Sequence, residues 1–125
     1  MKRKKKLPET ETLARAIIEG ILDKKGEGLI QLDFENIRNA VCSRFIICQG
    51  RSKVQVEAIA DEVREHVRNL FGLTAWHVEG YVNAEWILID YADIVVHVFQ
   101  AETRGFYDLE TLWADTQITR YEQEP

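Results

Sequence analysis

The chain has 125 residues, 46% of them hydrophobic, and a formal net charge of −5. That length points to one domain and is enough for a single core without disulfide or metal staples. No apolar run approaches the roughly 18 residues of a membrane span, and the basic start is not followed by the apolar stretch of a signal peptide.

The charge is divided unevenly. Residues 2–6 carry five cations; with these set aside, 11 Lys and Arg stand against 21 Asp and Glu, a balance of −10. An acidic body is a poor general binder of nucleic acid, because phosphate binding needs clustered Lys and Arg. It suits a basic protein partner instead. The leader, residues 1–9, reads as a disordered solvated tail with a minor contact to RNA open to it. Cys42 and Cys48 fit neither a redox pair nor a zinc site, and the reading is a cytoplasmic protein with reduced thiols.

In chain order, Leu13, Ile17, Ile18, Ile21 and Leu22 recur at helical spacing and predict a first helix from about Thr10 to Lys25. Gly26 offers the left-handed stop. Leu29–Phe34 reads as a strand, Arg44–Cys48 as a central strand, and the stretch between them as a loop with room for one helical turn. Ser52 and Gln55 have capping-box spacing. Val56, Ile59, Ala60, Val63, Val67 and Leu70 then make the apolar face of a second helix that Gly72 ends. Strands follow at about Ala75–Glu79, Glu85–Tyr91 and Asp93–Phe99, the last two joined as an antiparallel hairpin by their short connection. Asp108 is expected to cap a final short helix through Trp113, and residues 116–125 form a polar tail that frays. The order predicts one α/β (α+β) domain over residues 10–115, with a mixed, roughly five-stranded sheet flanked by helices.

The chemistry-bearing residues are few. Ser52 has a structural task as a helix cap, and no nucleophile elbow surrounds either serine. The three histidines form no metal-binding pattern. Asp90, Asp93 and His97 are the only cluster from which a divalent ion site could be built; a histidine hydrogen-bonded across the sheet is the commoner arrangement. Gln49-Gly50-Arg51-Ser52 leads from strand to helix with one glycine, far short of a phosphate loop. The aromatic residues carry the stronger signal. Alternation puts Trp86, Leu88 and Asp90 on one side of their strand and Ile87, Ile89 and Tyr91 on the other. Trp86, Tyr91, Phe99, Arg104, Phe106, Tyr107 and Trp113 are the residue types that anchor protein interfaces.

Four stretches together are specific: Ile46–Ser52 (IICQGRS), Val78-Glu79-Gly80 with Glu85–Tyr91 (EWILIDY), Asp93–Phe99 (DIVVHVF) and Arg104–Trp113 (RGFYDLETLW). In them the chain, from about Leu13 to Trp113, resembles the ribosomal silencing factor S (Iojap-like) family. The resemblance implies a nucleotidyltransferase-like fold without that activity. It also implies binding to the large ribosomal subunit through a basic ribosomal protein, the fourteenth of that subunit, at the intersubunit face. There the domain blocks joining of the small subunit, represses translation and assists late subunit assembly; free members are often homodimers. No cofactor, metal or membrane is implied. On this reading Trp86 and Tyr91 are hydrophobic anchors with Phe99 and Tyr107 beside them. Asp90, Asp93 and Glu110 face basic groups of the partner, and His97 and Arg104 organise the site. Two positions depart from the family pattern: Arg44 replaces an acidic residue, and Ala92 replaces a glycine in the hairpin joint. The competing readings are a metal-dependent nucleotide or phosphate-transfer enzyme using Asp90, Asp93 and His97, and a generic dimerisation module.

Overall fold

A computed structural model describes residues 7–37, 40, 42–113 and 116–121. Its elements run α1 (Thr10–Asp23), β1 (Glu27–Asp33), β2 (Arg44–Gly50), α2 (Lys53–Phe71), β3 (His77–Glu79), β4 (Trp86–Asp90), β5 (Ile94–Gln100), α3 (Ala101–Tyr107), α4 (Leu109–Leu112) and β6 (Gln117–Arg120). The strands form one sheet in the order β3-β4-β5-β2-β1-β6. β2 and β5 run parallel; every other pair is antiparallel. The mixed sheet is the one expected, but with six strands. The additional strand, β6, falls in the stretch read as a fraying tail. It pairs with β1, setting Ile118 opposite Leu32, and Ile118 packs against the core while its neighbours face out.

α2 forms for the reasons its sequence advertises. The Ser52 hydroxyl accepts the Gln55 N–H at 3.1 Å, meeting one orphan donor of the first turn, and the Gln55 side chain reaches back to accept the Arg51 N–H just before the cap at 2.7 Å. Gly72 ends it at φ 64. Leu70, assigned to the buried face, is exposed. α1 stops at Asp23, and its left-handed residue is Lys25 (φ 59), not Gly26. Gly26 is needed for room: a Cβ there would lie 2.5 Å from Ile21 Cγ2. The last helical segment starts earlier than expected, at Ala101. The Asp108 side chain makes no capping bond; its backbone N–H closes α3 on the Arg104 carbonyl at 2.8 Å, and at φ 45 it is the left-handed hinge between α3 and α4. After β1, the Ile37 N–H bonds the Phe34 carbonyl at 2.9 Å and closes a turn. The expectations for leader residues 1–6, the loop positions 38, 39 and 41, and tail residues 122–125 lie outside the described residues.

The sheet has two unlike faces. On one, α1 and α2 bury an aliphatic core that includes Ile17, Ile21, Ile46, Ile59, Val63, Ile87, Ile89 and Val96. On the other lies a smaller aromatic core of Phe34, Phe45, Trp86, Phe99 and Trp113, with α4 contributing Leu109. β5 sits between β4 and β2, so its residues from Ile94 to Phe99 are buried whichever face they point to. Central position explains the unbroken run Ile94-Val95-Val96. His97 is the polar exception, and it points to the aromatic side.

Candidate functional site

Register brings the aromatic residues together. In the β4–β5 ladder Trp86 lies opposite Phe99 and Leu88 opposite His97, so Trp86 is a diagonal neighbour of His97 on the same face. The Trp86 indole N–H donates to His97 Nδ1 at 3.0 Å. The indole also stacks on Phe99, ring centroids 4.9 Å apart, and leans on Tyr107 of α3 at 4.8 Å. On the far side His97 meets the edge of Phe45 at 4.5 Å. His97 is buried, and burial lowers its pKa to about 3. It is therefore a neutral acceptor with its proton on Nε2, a nitrogen that has no hydrogen-bond partner.

Besides the Tyr107–Trp86 contact, α3 is fastened to the sheet by Arg104. Arg104, itself buried, donates from Nη1 to the Gly28 carbonyl at 2.7 Å and to Gln49 Oε1 at 3.2 Å, and from Nε to Glu110 at 3.1 Å. It thus ties α3 to β1, β2 and α4 at once. Gly28 (φ 58) leaves space for this, since a Cβ there would meet Arg104 Nη1 at 2.6 Å.

With α3 so held, Tyr107 and Phe106 stand at the surface, Phe106 83% exposed beside a half-exposed Tyr107. A 260 Å³ groove lies between α3 and the β3–β4 turn, lined by Gly80, Val82, Glu85, Trp86, Thr103 and Tyr107. A second depression shares Glu85, Thr103 and Tyr107 and adds Glu102 and Phe106. Val82, 87% exposed, forms the opposite lip. The carboxylates Glu85 and Glu102 are exposed, and neither has an ion-pair partner among the described residues. The result is a groove of mixed polar and apolar lining, which Asn83 completes, with Trp86 in its wall and free negative charge at its rim, a surface that can receive an amphipathic side chain such as Lys or Arg.

The expected site residues fall into three places. Trp86, Tyr107 and the organising pair His97 and Arg104 meet at this groove. Phe99 is beneath it and fully buried, so it supports Trp86 and is not itself a contact; Glu110 is held by Arg104. Tyr91 is a correction: it points to the aliphatic core, is only 7% exposed, and its hydroxyl is buried without a partner. Burial pushes that hydroxyl up to about 12. Asp90 and Asp93 sit at the opposite end of β4. Asp90 accepts the Ala92 N–H at 2.7 Å, and Asp93 accepts from the hydroxyls of Thr10 and Ser43. Arg44 pairs with Glu11 at 2.8 Å and with Glu35 at 3.7 Å. Sequence reasoning passed over Val82, Glu85 and Glu102, and used Phe106 only as a candidate anchor. Phe106 carried a legible hint, an aromatic residue next to Tyr107 on a helix too short to bury both. Among the described residues no group of three His, Cys, Asp or Glu is placed to hold a metal ion, and His97 Nδ1 is taken by Trp86.

A family model described as "Ribosomal silencing factor during starvation" matches residues 7–125. The chain belongs to the ribosomal silencing factor family. It is 38% identical over 112 residues to ribosomal silencing factor RsfS of Halalkalibacterium halodurans, covering 90% of this chain and 94% of that protein. With RsfS of Bacillus subtilis the identity is 41% over 96 residues, covering 77% and 80%. A crystal structure of a Chromobacterium violaceum protein superposes with a TM-score of 0.80 at 32% identity, covering 94% of this chain and 91% of that one. The relatives are named as silencing factors, a regulatory and not an enzymatic family. The phosphate-transfer reading is accordingly set aside. Among the described residues no helix is long and apolar enough to cross a membrane.

Proposed function

We propose that this silencing factor docks in the cytoplasm on the large ribosomal subunit, through a basic ribosomal protein at the intersubunit face, and excludes the small subunit by its bulk. By occupying that face it represses translation and attends late subunit assembly; when free it forms a homodimer. The reading rests on one observation: exposed Phe106, Tyr107 and Val82 surround half-buried Trp86, and the unpaired carboxylates Glu85 and Glu102 rim them. Apolar anchors in a desolvated centre and complementary charge at the rim are what a protein interface needs. No bond is made or broken, so the family's regulatory character is matched by a purely steric mechanism.

The test is cosedimentation with purified large subunits. Phe106→Glu leaves the core untouched, since the side chain is already in solvent. It should lower subunit affinity at least tenfold and lose the block on subunit joining. Wild-type affinity in this variant would remove the α3 groove from the interface.

A further inference from the structure

β3 closes one side of the sheet, and its outer edge has no strand neighbour among the described residues. No turn or loop bond among those residues reaches the backbone of His77, Val78 or Glu79. Such an edge is a template for another strand. His77 and Glu79 are exposed, and Trp76 just before them is 83% exposed, although a side chain of that size is highly buried on average. Trp76 is held in place: its N–H donates to the Asp90 carbonyl at 2.8 Å, which pins the start of β3 to the end of β4.

Strand alternation sorts these residues by face. Val78, opposite Ile89, packs against the aliphatic core on the helix side of the sheet. Trp76 shares that side, where it lines a groove with Leu13 and Tyr91. His77 and Glu79 point to the other face, and there His77 Nε2 lies 2.8 Å from Glu79 Oε1.

A second copy of this edge fits it in one register. When two copies join as one continuous antiparallel sheet, opposed residues must share a face. A two-fold axis at His77, at Val78 or at Glu79 meets that condition. The first sets His77 against itself, and the third sets Glu79 against itself. The axis at Val78 sets His77 opposite Glu79 of the second copy, twice, so that an imidazole donor meets a carboxylate in both pairs. It also sets Trp76 opposite Gly80, which has no side chain to collide with. Two indoles and two Val78 side chains then form one apolar row on the helix side. The other outer strand, β6, lacks this match, since its one charged residue, Arg120, has no carboxylate in Gln117–Arg120 to meet.

We infer that the free edge of β3 is the face on which two copies of this chain pair, antiparallel about a two-fold axis at Val78, with His77 against Glu79 and Trp76 over Gly80. This rests on the homodimer proposed above and names its face. The shared surface is small, so the dimer is weak, with a dissociation constant on the order of 10 µM.

The test is sedimentation of the full chain from about 1 to about 500 µM. Wild type should pass from monomer to dimer across that range. His77→Glu and Glu79→Lys each set like charges opposite one another and should weaken the dimer at least tenfold, with unchanged melting temperatures because both side chains are exposed. An equimolar mixture of the two variants should dimerise again, since each strand then carries what the other lacks. Trp76→Ala should weaken the wild-type dimer at least tenfold. The inference is overturned, and the homodimer kept, if both single variants dimerise as wild type does, if their mixture stays monomeric, or if Phe106→Glu is the substitution that yields monomer. A wild type still monomeric at the highest concentration overturns the inference and the homodimer together. Subunit cosedimentation is read separately, so loss of the ribosomal assignment would leave a β3 dimer standing.

Discussion

The indole N–H of Trp86 ends on Nδ1 of His97, 3.0 Å away, and this bond exists only while the imidazole is neutral. Burial keeps it so, holding the His97 pKa at about 3 against an ordinary 6.5. In the unfolded chain the ring takes up a proton below about 6.5, and in the native protein it does not until about 3. Between those values the unfolded state binds more protons, so stability falls as pH falls, by up to about 1.4 kcal/mol per pH unit. Urea denaturation at several pH values from 7 to 4.5, for wild type and His97→Gln, should give a gap that narrows or inverts toward acid. Gln can still accept from Trp86 but does not titrate. A gap that stays constant with pH would mean that His97 is not buried as described.

Arg104 offers a different kind of test, because it satisfies three acceptors that no other cation reaches. Replacing it with Met keeps much of the volume but strands the Gly28 carbonyl, Gln49 Oε1 and the Glu110 carboxylate. Leaving buried polar groups unpaired costs about 1–3 kcal/mol each where water cannot enter; Gly28 is exposed and Gln49 and Glu110 are partly so, and each recovers some hydration. Arg104→Met should lower stability by about 1–3 kcal/mol and reduce ribosomal affinity as well, since α3 carries Phe106 and Tyr107. Denaturant midpoints and cosedimentation would show both losses together; loss of neither would mean that α3 is held by other contacts.

Tyr91 should behave in the opposite way. Its hydroxyl is buried with no hydrogen-bond partner, so the folded state carries a desolvation cost that phenylalanine would not. Tyr91→Phe is expected to be neutral or to stabilise by about 1 kcal/mol, and to leave subunit binding unchanged. A destabilisation of more than about 1 kcal/mol would reveal a bond to that hydroxyl.

How far the chain could be read in advance follows from where each signal is encoded. α2 was legible because its start, face and stop are all local: Ser52 with Gln55, the Val56–Val67 stripe, and Gly72. β6 was not, because Gln117–Arg120 is a short polar edge strand with one inward apolar residue, Ile118, and only the exposed edge of β1 makes it a strand. The composition of the proposed docking face was visible in its Trp and Tyr content. Its membership was not, since Tyr91 and Trp86 lie on opposite faces of β4 and strand alternation cannot say which face α3 leaves open. The Trp86–His97 bond needs the β4–β5 register. Trp76 could not be distinguished from a core tryptophan, because its exposure depends on how the segment after α2 is pinned to Asp90.

The hairpin joint gives the last prediction, and it turns on the departure from the family pattern. Ala92 has φ 71, in the left-handed region, and its N–H is held by the Asp90 side chain at 2.7 Å. For a residue with a Cβ that conformation costs roughly 1–2 kcal/mol. Glycine removes that strain and returns about 0.5–1 kcal/mol of it as extra chain entropy in the unfolded state. Ala92 is exposed, so no packing is lost. Ala92→Gly should therefore stabilise by about 0.5–1 kcal/mol and raise the melting temperature by ~3 °C in a chain of this size. The joint also lines a groove that Trp76, Tyr91 and Asp93 share. If the variant melts lower than wild type, the joint does not hold the positive φ described for it, and the shape of that groove must be redrawn.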